Sequence, residues 1–176
     1  MRHLAFIGLA LVLVPRVAAA ANYPLELVMP RAAGSSPATG QPAISPNHRI
    51  FWAYPGLPYD IRAAVIGGAY PYAFSLADAP AGMTIDAATG QIVWPSPPSG
   101  ATVTPAMTVR DAEGSMVSAS WTITVDPARF IFLDAINGRE FDAAVPGTGT
   151  LANPLRRIRD LYEGDDYDAK RRNSHV

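Results

Sequence analysis

Cysteine is absent from the 176 residues, histidine occurs only three times, and charge of either sign is sparse at 16% of residues. Without cysteine there is no disulfide framework, so the chain must hold itself by core packing, and a lipid-bearing cysteine anchor is excluded. His3, His48 and His175 lie far apart in sequence. No H-x-x-x-H pair and no Cys/His cluster exists to bind zinc. There is no G-x-S-x-G elbow, and Gly147-Thr148-Gly149-Thr150 lacks the lysine and the preceding strand of a phosphate loop. That run reads as a helix cap instead. A net charge of -1 gives no electrostatic case for nucleic acid or an acidic membrane. Heptads and internal repeats are also missing. So is an Asn-x-Ser/Thr acceptor: Asn22, Asn47, Asn137, Asn153 and Asn173 all fail the pattern.

What is abundant is apolar residues (49%), with 17 prolines and 14 glycines. That balance allows one packed domain and suits short strands joined by turns. The apolar run Leu4 to Val14 comes after Arg2 and His3 and ends at Pro15-Arg16. It is shorter than the roughly 20 residues that cross a bilayer, and small residues (Val17 to Ala21) come next. Residues 1–21 therefore read as a signal peptide of an exported bacterial or phage-related protein. The mature chain is expected to carry no transmembrane segment and to reside outside the cell or on its surface. Residues 22–47 form an extended segment with prolines, glycines and serines concentrated in "MPRAAGSSPATGQPAISP".

Residues 48–126 give a succession of period-two patterns. Tyr59, Ile61, Ala63 and Val65 share a face, as do Tyr70, Tyr72, Phe74 and Leu76. In Ala101 to Val109 and Val117 to Val125, every second residue is apolar or small and the other face carries Ser and Thr. Each run reads as one strand with one buried face, with Pro105 marking an edge or a bulge. Tyr70, Tyr72 and Phe74 are expected in the core, and Trp52 and Tyr54 at the surface as candidate sugar-stacking aromatics. "IGGAY" and "DAEGS" supply turns, with Gly114 free to take positive φ. In "GMTIDAATGQIVW", Asp86, Thr89 and Gly90 read as a tight hairpin: the acid accepts backbone N–H groups and the glycine closes the turn. Short strands with hairpin turns point to an all-β sandwich.

The charge distribution shifts at "VDPARF": of 14 basic and 15 acidic residues, 13 lie at or before Asp126 and 16 after it. Residues 127–164 read as a strand (with Phe130, Phe132 and Asp134 at every second position), a loop, and a helix. Asn153 would cap that helix, Pro154 would start it, and Leu155, Ile158, Leu161 and Tyr162 would share its face. Residues 165–176 are charged and read as a disordered tail, with "DDYD" (165–168) off EF-hand spacing.

"GGAYPYAFSLADAPAGMTIDAATGQIVW" and "MTVRDAEGSMVSASWTITV" resemble the Ig-like domain family of bacterial exported proteins, related to cadherin-like and dystroglycan-type sandwiches. Their D-x-x-T-G core and V-x-D-x-x-G ending carry the likeness; Trp94 stands where that family often has glycine. "RFIFLDAINGREFDAAVPGTGTLANPLRRIRDLY" is similar to the N-terminal cap of a pectate-lyase-like right-handed β-helix, whose stacked coils are not in these residues.

The resemblances imply a non-catalytic spacer, presentation or adhesion module at the start of a larger β-helix protein, with a downstream domain or cell-surface glycans or proteins as partners. An alternative is the opening of an extracellular polysaccharide lyase or hydrolase whose active site lies elsewhere. A further alternative is calcium-dependent adhesion, since cadherin-like sandwiches hold calcium through acidic side chains. Asp111, Glu113 and Asp126 are the candidate ligands for calcium, with Asp134, Asn137 and Asp142 as a second group. No other cofactor is expected.

Overall fold

The computed structural model describes residues 23–36, 40–140 and 147–157. The signal segment 1–21, the tail 165–176, Asp142 and residues 158–162 of the expected helix lie outside the described residues.

Among the described residues there are eleven short strands. They are β1 Glu26–Met29, β2 Trp52–Ala53, β3 Tyr59–Arg62, β4 Ala64–Ile66, β5 Ala73–Ala77 and β6 Thr84–Ile85. The remainder are β7 Gln91–Trp94, β8 Thr102–Val103, β9 Ala106–Arg110, β10 Met116–Ser120 and β11 Ile123–Val125. They form ribbons ordered β10-β9-β5, β3-β7-β6 and β2-β11-β8, with a β1-β4 pair at the side. Every pairing is antiparallel except β2 with β11, where Trp52 lies beside Thr124 and Ala53 beside Val125. The fold is an all-β, Ig-like sandwich. The extended N-terminal segment contributes β1, which pairs with β4 through Glu26–Ile66 and Leu27–Val65.

The inward faces match the period-two reading. Ile61, Ile92, Trp94, Met107, Val109, Trp121, Ile123 and Val125 are buried in one cluster with Phe74 and Ile50. The outer face of the β9–β10 hairpin keeps its hydroxyls: Thr108 and Ser118 are hydrogen-bonded across the strands at 2.7 Å.

Two expected strands are each broken in the middle. Residues 101–109 divide at Thr104-Pro105, and residues 117–125 divide at Trp121-Thr122. In each run one half pairs in the β10-β9-β5 ribbon and the other in β2-β11-β8. The cause lies in Pro105, which has no N–H to continue a ladder. Its carbonyl accepts the N–H of Trp121 at 3.3 Å, and the Thr104 and Thr122 hydroxyls meet at 3.1 Å, so the two chains bend together. The Trp121 indole fills the bend at 1% exposure, donating from Nε1 to the Tyr59 hydroxyl at 3.1 Å. That hydroxyl in turn donates to the Ile50 carbonyl at 2.8 Å. Burial pushes the Tyr59 pKa up, with the Trp121 hydrogen bond pulling the other way.

Tyr70 departs from expectation: its side chain is 81% exposed, because β5 begins only at Ala73 and the preceding residues form the link from β4. Tyr72 is half-buried and packs edge-on against both Tyr70 and Phe74.

Residues 127–157 also depart from expectation. Pro127–Arg129 form a 3-10 turn, and Phe130 to Asp134 form no strand. Residues 153–157 form no helical turn; Leu155, 1% exposed, makes parallel bridges to Leu133 and Arg139 instead. Asn153 does not cap a helix but bridges Thr150, whose hydroxyl accepts its N–H at 3.2 Å. The Gly147–Thr150 run therefore serves a chain reversal rather than a helix start. Backbone pairing wins here because Leu155 is buried only by bringing its chain alongside residues 133 and 139. Gly138 permits that approach: a Cβ there would collide with the Asp134 and Leu155 carbonyl oxygens.

Aspartates close the turns. Asp86 Oδ1 accepts the N–H groups of Ala88 and Thr89 at 2.9 and 2.7 Å, and Gly90, at φ +68°, closes the loop through its N–H to the Asp86 carbonyl. Asp111 accepts from Ala69, Glu113 and Ser115 at 3.1, 3.0 and 2.8 Å, with Gly114 at φ +92° completing the β9–β10 turn. Asp134 accepts from Ile136 and Asn137, both at 2.9 Å.

These bonds favour the charged carboxylates. The Thr89 and Ala88 N–H groups hold the Asp86 pKa below its ordinary value, and those of Asn137 and Ile136 do the same for Asp134. At Asp111, burial works to raise the pKa, but the donors on Ala69, Ser115 and Glu113 outweigh it and the net shift is downward.

This geometry sets three expectations. Gly90→Val should cost more than the roughly 1–2 kcal/mol of a left-handed side chain, because its Cβ would also stand 2.9 Å from Ala63 Cβ and 3.0 Å from Phe74. Gly56→Ala, at φ +73° in open space, should cost only the backbone strain; equal losses in a urea melt would contradict the packing argument. Tyr59→Phe leaves the Trp121 Nε1 and the Ile50 carbonyl unsatisfied and should cost about 1–3 kcal/mol in the same assay. The aspartate pKa values are lower in the folded chain than in the unfolded one. Their stabilisation is therefore complete above the ordinary carboxylate range and lost as pH falls through the folded values. Tm should be flat from about pH 7 to 5 and fall below about pH 4. Asp86→Asn, which keeps the Oδ1 acceptor but does not titrate, should make that fall shallower; an identical acid profile would refute the assignment.

Candidate functional site at the Trp52 junction

Trp52 and Tyr54 belong to the stretch that enters the sandwich along β11, and the chain that leaves the sandwich returns to them. The parallel β2–β11 pairing sets this up by bringing Asp126 beside Ala53, whose carbonyl accepts the Asp126 N–H at 3.1 Å. Asp126 Oδ1 then accepts the Ala128 N–H at 2.9 Å, and Pro127, which has no N–H to lose, starts the 3-10 turn. The turn lifts Arg129 over Trp52, with the guanidinium carbon 4.0 Å from the ring centroid. At that distance the cation sits on the negative face of the indole. A 3.8 Å ion pair from Arg129 Nε to Asp126 is part-exposed and adds little on its own.

Phe130 and Phe132 meet Tyr54 edge-on, with ring centroids 5.6 and 4.9 Å away and interplanar angles of 89° and 82°. Edge-to-face pairs of this kind contribute about 0.5–1.5 kcal/mol each beyond their area. Both aromatics expected at the surface are thus half-buried and face other side chains. A cleft of about 200 Å³ remains beside them, lined by Arg49, Trp52, Tyr54, Asp60, Phe130 and Phe132 among others. A second, of about 270 Å³, lies on the other side of Trp52 against Trp121 and the hydroxyls of Thr104, Thr122 and Thr124.

Phe132 also connects the junction to the rest of the exit segment. Its N–H donates to the Gly149 carbonyl at 2.8 Å and its carbonyl accepts from Leu155 at 3.0 Å. Asp134 N–H continues the pattern to the Leu155 carbonyl at 2.9 Å. Glu140 pairs with Arg157 at 3.4 Å and more loosely with Arg156 at 3.9 Å.

The acidic residues singled out as calcium ligands are not brought together. Asp111 and Glu113 lie in the β9–β10 turn, and Asp126 lies beyond β10 and β11. The Asp111 oxygens face three backbone donors, and Asp126 Oδ1 caps its own turn. Asp134 and Asn137 are adjacent, with Asn137 Nδ2 donating to Asp134 Oδ2 at 3.1 Å, so the side-chain amide presents its donor to the acid. Among the described residues no group of three or more His, Cys, Asp or Glu is placed to hold a metal ion. No helix among them is long and apolar enough to cross a membrane.

Sequence patterning alone does not pair Trp52 and Tyr54 with Arg129, Phe130 and Phe132. A signal is present: two phenylalanines two residues apart, directly after a strand exit, need a surface to cover. Patterning also passes over Arg31 and Glu26, both buried, which sit in a segment whose composition carries no periodicity.

No curated protein matches the sequence. Among solved structures, a "putative alpha-galactosidase" from Bacteroides fragilis aligns at 15% identity and TM-score 0.44, over 66% of this chain and 20% of that one. A chimeric titin Z1Z2 aligns at 9% identity and TM-score 0.38, over 62% of this chain and 98% of that one. A SusE-like surface-located polysaccharide-binding protein from Bacteroides thetaiotaomicron aligns at 14% identity and TM-score 0.35, over 53% of this chain and 17% of that one. The chain thus spans about a fifth of the first of these. Residues 41–126, which hold β2 to β11, match the family model described as Putative Ig domain.

Proposed function

We propose that this chain is a non-catalytic, exported Ig-like module that holds the segment after Asp126 in a fixed orientation, as a spacer or presentation domain for a downstream β-coil. The Trp52 junction carries the reading. A cation over an indole, two edge-on aromatic pairs and a proline-started turn all act on the few residues that leave the sandwich. A chain that merely ended a domain would have no need of that clamp. The parallel bridges from Leu155 to Leu133 and Arg139 support reading the clamped segment as the opening of a parallel β-coil, which gains a core only when further coils stack on it. Export rests on the apolar run in residues 1–21. The turn aspartates accept backbone N–H groups, an arrangement suited to closing loops rather than to proton transfer.

Tyr54→Ala combined with Phe132→Ala should release the exit segment. Losing two aromatic pairs is equivalent to about 1–3 kcal/mol, so hydrogen exchange at the Asp134 and Leu155 amides should accelerate about tenfold or more. Exchange at Val109 and Ile123, in the sandwich core, should change far less. If the two sets of amides accelerate together, or neither does, the clamp does not position the segment.

A further inference from the structure

A sandwich built of short ribbons leaves strand edges, and an uncovered edge is a row of N–H and C=O groups ready to pair with another chain. Most edges here are blunted. β2, β6 and β8 are two residues long and β4 is three. β3 carries the exposed charges Asp60 and Arg62, and the β1 pairing shifts register between Leu27 and Met29. At β5 the Phe74 N–H is taken by the Ala87 carbonyl at 2.9 Å. β10 is the exception. It ends the β10-β9-β5 ribbon and runs for five residues, and no charge or proline lies between Ser115 and Thr124.

The groups that β10 presents follow from ladder alternation. Asp111 N–H donates to the Ser115 carbonyl at 3.0 Å and Trp121 N–H to the Pro105 carbonyl at 3.3 Å, so residues 115 and 121 turn their polar groups inward along the hairpin. Val117 and Ala119 share that phase, opposite Val109 and Met107. In an antiparallel ladder the intervening residues turn their N–H and C=O the other way. These are Met116, Ser118 and Ser120, whose outward backbone groups have no hydrogen-bond partner among the described residues. Beside the strand lies a groove of about 450 Å³, with Leu25 and Leu27 in one wall and Val117 and Ala119 in the other. The edge therefore borders open space.

We infer that two copies of this chain join through β10, antiparallel across a two-fold axis at Ser118. The strand suits itself as a partner. With Ser118 opposite Ser118 of the second copy, Met116 falls opposite Ser120, so each outward N–H and C=O of the strand meets its complement. Val117 then lies opposite Ala119, and both are small enough to sit beside the apolar groove. No like charges meet along the pair, and a net charge of -1 sets up little repulsion between copies. On the outer face, the 2.7 Å bond between the Thr108 and Ser118 hydroxyls begins a row that a second Ser118 continues. Such a contact uses the same patch on both copies and closes on itself, leaving neither β10 edge free. The ring contacts of Trp52 and Tyr54 do not involve β10, so this pairing goes beyond the positioning role of the junction and does not depend on it.

An interface of one short strand belongs to the weak class, so the full chain should dimerise with a Kd of about 0.1–1 mM in sedimentation equilibrium. Hydrogen exchange at the Met116, Ser118 and Ser120 amides should slow as protein concentration rises, while Val117 and Ala119, already bonded to β9, should not change. Ser118→Pro should weaken dimerisation about tenfold or more and leave the fold intact, since that N–H faces away from β9. Ser118→Lys and Ser118→Glu should each weaken it about threefold or more, because like charges then meet at the axis. Mixed together, those two variants should pair one to one. Several results would each overturn the assignment: a chain still monomeric at about 1 mM, undiminished dimerisation of Ser118→Pro, charged variants that associate as well alone as mixed, or a β10 edge protected only when a foreign extended peptide is added.

Discussion

The fold depends on how the buried indole of Trp121 is satisfied. Its ring occupies the bend where two strand runs leave one ribbon and join another, and its Nε1 would be stranded there without the Tyr59 hydroxyl. That hydroxyl hands the constraint on to the Ile50 carbonyl, so one chain of two hydrogen bonds ties the 3-10 turn before β2, the strand β3 and the bend itself. Nonpolar packing alone would tolerate several arrangements of these aromatics; a buried donor that must reach one particular acceptor tolerates few. Because β2 is anchored through this turn, the chain of constraint extends to the only parallel pairing among the named strands of the described residues. It ends at the exit segment stacked on Trp52 and Tyr54.

Acidic residues show the same economy of purpose. In a chain with sparse charge, four aspartates (Asp86, Asp111, Asp126 and Asp134) each accept backbone N–H groups at a turn. An Asx turn replaces a backbone acceptor where the chain reverses, so the carboxylate is engaged by donors on its own loop. This is why acids that are close in sequence do not converge in space. Asp111 and Asp126 are kept apart because each belongs to a different end of the same long run.

Much of the sandwich is legible from period-two patterning, since that pattern depends only on which face is buried. Val109, Trp121, Ile123 and Val125 are buried as their alternation requires. What alternation does not encode is partner choice. The runs 101–109 and 117–125 keep their phase through the bend, so nothing in the apolar pattern signals that each changes ribbon; only Pro105 marks the place. Tyr70 reads as internal because it continues the phase of Phe74, yet phase has no meaning before the strand begins. Residues 153–157 do not form the expected helical start for a related reason. Its residues fit helical spacing, but Leu155 is buried through backbone bridges to Leu133 and Arg139, contacts that no local window contains.

The junction and the buried Arg31 fall on opposite sides of that same limit. Aromatic residues announce a need for cover, so Trp52 and Tyr54 stand out in the sequence even though Arg129, Phe130 and Phe132 are not identifiable there as their cover. Arg31 announces nothing, because an arginine among prolines, glycines and serines is ordinarily solvated. Its place becomes visible only in the fold, where the side chain is buried and its Nη2 donates to the Pro42 carbonyl. A segment whose composition looks most like a linker thus supplies buried residues and a strand, β1, to the fold.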